Sequence, residues 1–172
     1  QLVLEGVFGK CSKVTKTNEL MKQGYLSKLK VKIVLIKHKE KLFEGYQDEM
    51  DYLVEHEPRN KFIKNLAKDL KGNTLILFNY VEKHGLPLYN MINSDTERPV
   101  YFVHGGVDTE DREEIRLLTE KSDNSIIVAS YGTFSTGINI RNLHNVIFAS
   151  PSKSRIRNLQ SIGRVLRKGD NK

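Results

Sequence analysis

Gln160, Arg164 and Arg167 are spaced so that a helix brings all three onto one side, while Leu159, Ile162, Val165 and Leu166 fall on the other. Such a helix, expected over Ser154–Lys168 and ended by Gly169, buries one face and turns two guanidinium forks outward. Planar, permanently charged donors at fixed spacing suit a phosphate group. A second candidate lies earlier in the chain, at Ser130-Tyr131-Gly132-Thr133-Phe134-Ser135-Thr136-Gly137-Ile138-Asn139. Its hydroxyls on Ser130, Thr133, Ser135 and Thr136 can donate to phosphate oxygens, and Gly132 and Gly137 let a backbone approach closely.

These residues need elements to position them. Thr74–Phe78, Val100–Val103, Ser125–Ala129 and Asn145–Ala149 are short, nearly continuous apolar runs, the pattern of strands buried on both faces of a parallel sheet. Helical periodicity alternates with them over Arg59–Leu70, Val81–Ile92 (interrupted by Gly85 and Pro87) and Thr109–Lys121. The acids at Asp108, Glu110 and Asp111 suit the positive end of that last helix. The expected fold is α/β, a mostly parallel sheet with helices on both faces. Ahead of it, Leu29–Lys37 reads as a strand with a partly polar face, Lys13–Gln23 as a short helical segment, and Glu44–Glu57 as a further helix. Residues 1–58 thus form an approach segment packing on a domain at 59–172. In such sheets ligands gather at the carboxyl ends of the strands. Here those ends lead into Asn79-Tyr80, His104-Gly105-Gly106, the hydroxyl-rich stretch, and Ser150–Ser154.

Charge divides the 172 residues into three zones. Residues 1–41 carry ten Lys against three Glu, residues 42–150 eleven basic against seventeen acidic groups, and residues 151–172 seven basic groups against Asp170. The arginine-rich C-terminal zone favours nucleic acid or nucleotide phosphate, whereas the N-terminal lysines fit a solvated surface equally well. The five histidines stand at no metal-ligand spacing with Cys or carboxylates, and no Gly-x-Ser-x-Gly elbow occurs. Cys11 is the single cysteine, which fits a reducing compartment. No apolar run approaches the roughly 20 residues that span a bilayer. The opening Gln-Leu-Val-Leu has no initiator Met, which suggests a fragment or processed piece.

Taken together, Gly137-Ile138-Asn139, the run Asn145–Ala149 and Gln160–Arg167 resemble motifs V, Va and VI of superfamily 2 helicases. Leu75–Tyr80 resembles motif IV, and His104-Gly105 matches the His-Gly that often follows the next strand. Ile127–Ile138, Leu159–Lys168, Gly6–Gly9 and Arg59–Lys61 are similar to the DNA helicases of T-even bacteriophages within that superfamily. The resemblance implies a second RecA-like domain. Arg167 would be the arginine finger on the γ-phosphate of ATP, with Arg164 beside it. Gln160, Gly163, Gly137 and Asn139 would couple nucleotide to the domain interface; an Asp is common where Asn139 stands. Phe78, Asn79, His104, Gly105, Thr133, Ser135 and Thr136 become candidates for the nucleic-acid strand, Phe78 being equally suited to a core.

The chain has no Gly-x-x-x-x-Gly-Lys-Ser/Thr phosphate loop, and its Asp48-Glu49 follows no hydrophobic strand. ATP and Mg²⁺ are therefore expected to be held mainly by a first RecA-like domain of the same polypeptide, and the isolated chain is expected not to hydrolyse ATP. The family implies DNA, single-stranded or branched, as the other partner, with no membrane and a place in the host cytoplasm. An RNA helicase, a restriction-type translocase, or a nucleic-acid-binding module without ATPase activity are the alternatives.

Overall fold

The computed structural model describes residues 30–37, 41–136 and 140–151, with Glu19 and Lys22; for Ser135 and Thr136 it describes the backbone alone. The helix expected at Ser154–Lys168, the segment Gly137–Asn139 and most of the helix expected at Lys13–Gln23 lie outside these residues.

Four strands, β1 (Thr74–Phe78), β2 (Val100–Val103), β3 (Ile126–Ser130) and β4 (Asn145–Phe148), form one sheet in the order β2-β3-β1-β4. Every pairing is parallel, with Thr74 opposite both Ile126 and Asn145, and Val100 opposite Ile126. Each strand is the run that the apolar pattern picks out, to within a residue. The side chains of β1 alternate between two cores. Ile76 and Phe78 meet Ile63 and Ala67 of helix α2 (Glu57–Asp69) and Leu88 and Ile92 of helix α3 (Leu86–Asn93). Leu75 and Leu77 meet Tyr131 and Phe134 of helix α5 (Tyr131–Thr136), with Ile115 of helix α4 (Thr109–Lys121) packed alongside. Helices thus cover both faces, as expected.

Helix α1 (Tyr46–Glu55) realises the helix expected at Glu44–Glu57 and buries Met50 and Val54. Pro58 stands in the first turn of α2, where its missing N–H costs nothing. Three departures from the sequence reading have physical causes. Residues 30–37 carry a strand's alternation but adopt no regular structure, and Ile33 and Leu35 are 85% and 87% exposed. A strand needs a hydrogen-bonded neighbour, and among the described residues this segment has none. The expected helix Val81–Ile92 is a π-helical turn (Val81–Gly85) running directly into α3. The hydroxyl-rich stretch is not a loop at its start: Tyr131–Thr136 is helical.

At the N-terminal ends of the strands, buried Asn73 acts as a hub. Its Nδ2 donates to Thr119 O and Asn142 O, both at 2.8 Å, and its Oδ1 accepts from Ser125 N–H at 2.8 Å. Arg98 closes the C-terminus of α2, donating from Nη1 to Ala67 O and Leu70 O and from Nη2 to Gly72 O. A guanidinium satisfying helix-end carbonyls also meets the negative end of the helix dipole. Gly72 has a φ of +87°, and a Cβ there would stand 2.7 Å from the His144 ring, so both conformation and space require glycine.

Candidate nucleotide and nucleic-acid interface

Parallel pairing sends the C-terminal ends of all four strands to one edge, and the expected site residues that the structure describes gather there. Phe78, the last residue of β1, is an exception in kind. It is wholly buried, its ring stacked on Phe102 at 5.6 Å between centroids, beneath Gly85. It is a core residue and presents no surface to a nucleic-acid strand, which corrects that half of its two readings.

Asn79 follows it. Its N–H donates to Ser150 Oγ at 3.1 Å and its Nδ2 to Pro151 O at 3.0 Å. His104, half-buried after β2, accepts the Gly106 N–H on Nδ1 at 3.1 Å and tilts against Phe102. Gly105 is exposed, its carbonyl accepting from Arg112 Nη2 at 2.9 Å. Nothing lies within 4 Å of where its Cβ would stand.

At the end of β3, Ser130 caps α5. Its Oγ accepts the Thr133 N–H at 3.3 Å and pairs with Thr133 Oγ1 at 2.8 Å. A serine three residues before the amide that it accepts is the ordinary N-cap arrangement. Thr133 is buried, so the hydroxyls read as phosphate donors here bond first to each other. The side chains of Ser135 and Thr136, and all of Gly137, Asn139, Gln160, Gly163, Arg164 and Arg167, lie outside the described residues.

Sequence reasoning missed a buried polar network beside this edge. His84, in the π-turn, is fully enclosed. Its Nε2 lies 3.1 Å from Asn60 Oδ1 and its Nδ1 2.9 Å from Ser150 Oγ. Asn60 already donates Nδ2 to Val54 O at 2.8 Å, so its Oδ1 is the acceptor and His84 carries its proton on Nε2. Nδ1 then accepts from the Ser150 hydroxyl, whose oxygen accepts the Asn79 N–H. This ring is neutral. Burial, and then the nearby Arg59 charge, push its pKa down to about 4. Arg59 donates to Ala149 O, and burial lowers its own pKa. Tyr131 Oη donates to Ser150 O at 3.1 Å. These partners stand far apart in sequence, and His84 is one of five scattered histidines. No local pattern could have joined them.

Among the described residues no group of His, Cys, Asp and Glu is placed to hold a metal ion, and no helix is long and apolar enough to cross a membrane. A parallel sheet with helices on both faces, its loops gathered at one edge, is the architecture of a helicase C-terminal, RecA-like domain. The helicase conserved C-terminal domain model matches residues 57–169, and the chain belongs to that family. It is 38% identical over 175 residues to the ATP-dependent DNA helicase uvsW of Enterobacteria phage T4, across 97% of this chain and 34% of that protein. The chain therefore spans about a third of the length of this relative. The crystal structure of T4 UvsW superposes with a TM-score of 0.62 at 42% identity, over 71% of this chain and 25% of that one. The C-terminal part of the Fun30 ATPase domain shares the fold alone, with a TM-score of 0.53 at 20% identity over 66% of this chain and 38% of that one.

Proposed function

We infer that this chain is the second motor domain of an ATP-dependent DNA helicase or translocase, with residues 59–172 as the RecA-like unit and residues 1–58 as the segment leading into it. The observation that carries this reading is the likeness to uvsW along 97% of the chain, which includes Gln160-x-x-Gly163-Arg164-x-x-Arg167. ATP is bound by a first RecA-like domain of the same polypeptide, and Arg167 and Arg164 complete its phosphate pocket from across the cleft. Permanently charged forks aimed at a transferring phosphoryl group stabilise charge that grows in the transition state. Gln160, Gly163, Gly137 and Asn139 link the nucleotide to the domain interface. Asn79, His104, Gly105, Thr133, Ser135 and Thr136 line the edge along which the nucleic-acid backbone runs.

Mg²⁺ is held with the ATP, mainly by that first domain. The substrates proposed are branched DNA intermediates of recombination, replication and repair, in the host cytoplasm. In the full-length polypeptide, Arg167→Ala is expected to lower DNA-stimulated ATPase turnover by about 10³-fold or more, the scale of arginine fingers, with DNA binding kept. Wild-type turnover in that variant would remove the assignment. Competition between forked DNA and RNA of equal length separates a DNA motor from an RNA helicase.

A further inference from the structure

Three consecutive carbonyls, where the chain leaves β4, are each held by a side chain from a different element. Arg59 of α2 donates to Ala149 O. Tyr131 of α5 donates to Ser150 O at 3.1 Å. Asn79, just after β1, donates to Pro151 O at 3.0 Å. Between them the Ser150 hydroxyl bridges the Asn79 N–H and His84 Nδ1. The amides of Ala149 and Ser150 both point to Leu77 O, at 2.9 and 3.3 Å. Ser150, Tyr131 and His84 are almost wholly buried.

Sheet formation alone does not call for this. The β4 register with β1 ends at Phe148 opposite Leu77, and β4 is one of the two outer strands of the described sheet. The end of an outer strand ordinarily has few tertiary restraints and opens locally at low cost. Here the restraint is concentrated on the three residues past the strand's end. The chain that continues from Pro151 carries Arg164 and Arg167.

We propose that Arg59, Asn79, His84, Tyr131 and Ser150 form a clamp that fixes where and in which direction the chain leaves the sheet, and so positions the arginine-bearing segment for phosphoryl transfer. This rests on the arginine assignment above. The clamp residues are positioning residues. Catalysis by preorganised charge is steeply sensitive to placement, and a shift of about 1 Å can cost about 10²-fold in rate. A loosened exit lets the arginines sample several positions. Loosening the clamp at Tyr131 or Ser150 changes nucleotide and DNA affinity little, because ATP is held mainly by the first domain and neither residue is among the proposed DNA contacts.

The test uses the full-length polypeptide carrying Tyr131→Phe or Ser150→Ala, alone and combined with Arg167→Ala. Tyr131→Phe removes one hydroxyl from a ring that otherwise stays in place, so it reports even if Ser150→Ala does not fold. The expected result is a fall in kcat of about tenfold or more, with KM for ATP and affinity for forked DNA within about twofold. In the Arg167→Ala background Tyr131→Phe should have a clearly smaller fractional effect, because most of its influence passes through that arginine and only the part through Arg164 remains. Wild-type kcat in Tyr131→Phe, or the same fractional loss in both backgrounds, overturns the clamp while leaving the arginine assignment intact. Normal turnover in Arg167→Ala alone overturns the arginine assignment and the clamp with it.

Discussion

His84 shows how one buried ring converts local geometry into a solution property. Both ring nitrogens are engaged, one donating to Asn60 and one accepting from Ser150, so the folded state has no place for a second proton. The charged group facing it is Arg59, which opposes protonation further. Its pKa falls from an ordinary 6.5 to about 4. As pH drops below about 6.5 the unfolded chain therefore takes up a proton that the folded chain refuses, and folding stability declines. The decline is expected at up to about 1.4 kcal/mol per pH unit, levelling near pH 4 once the folded ring also protonates. Above pH 6.5 this contribution is constant. Urea unfolding of this chain and of His84→Gln across pH 4–7 checks it; equal slopes in the two would show that the proton goes elsewhere. In the sequence His84 could be excluded as a metal ligand from its spacing. Its real role depends on Asn60 and Ser150, brought to it only by folding.

Among elements, the strands were the most legible. Thr74–Phe78 and its three partners declare themselves because strands covered on both faces must be apolar throughout. Thr109–Lys121 was legible from end to end, its acidic first turn marking the start. The π-turn was not, since its residues carry helical periodicity up to the interruption at Gly85 and Pro87. The structure gives that interruption a cause: a Cβ on Gly85 would stand 2.5 Å from the Phe78 ring. Gly85→Ala is accordingly expected to destabilise the chain by about 1–3 kcal/mol, the usual cost of overpacking a core. A denaturant midpoint shifted by less than the measurement error would show that Phe78 has room to yield. Ser130–Thr133 has a structural use that its composition did not reveal. Hydroxyls suited to binding phosphate are equally suited to capping a helix, and composition cannot tell the two apart. The exposed alternation at 30–37 likewise records how a segment could pair, not that it does.

For the molecule as a whole, the charge zones and the arginine pattern pointed to phosphate chemistry, and the fold supplied the edge where such chemistry belongs. What the linear pattern could not supply was the division of labour between the two ends of the sheet. Asn73 and Arg98 lock the N-terminal ends through carbonyls of helices and turns. The opposite edge is held through Tyr131, His84 and Asn79, the last itself a proposed ligand contact. Because all four described strands run the same way, the two ends of this sheet are cleanly separated, which can be put to use. Glu97, exposed ahead of β2, and Gly105, exposed behind it, mark opposite rims of the same strand. A fluorophore attached through Gly105→Cys in a full-length polypeptide otherwise cleared of cysteine, Cys11→Ser included, is expected to change emission when forked DNA is added. The same dye through Glu97→Cys should stay silent, and equal responses would place the DNA elsewhere. One strand of four residues thus separates a sensor position from its internal reference.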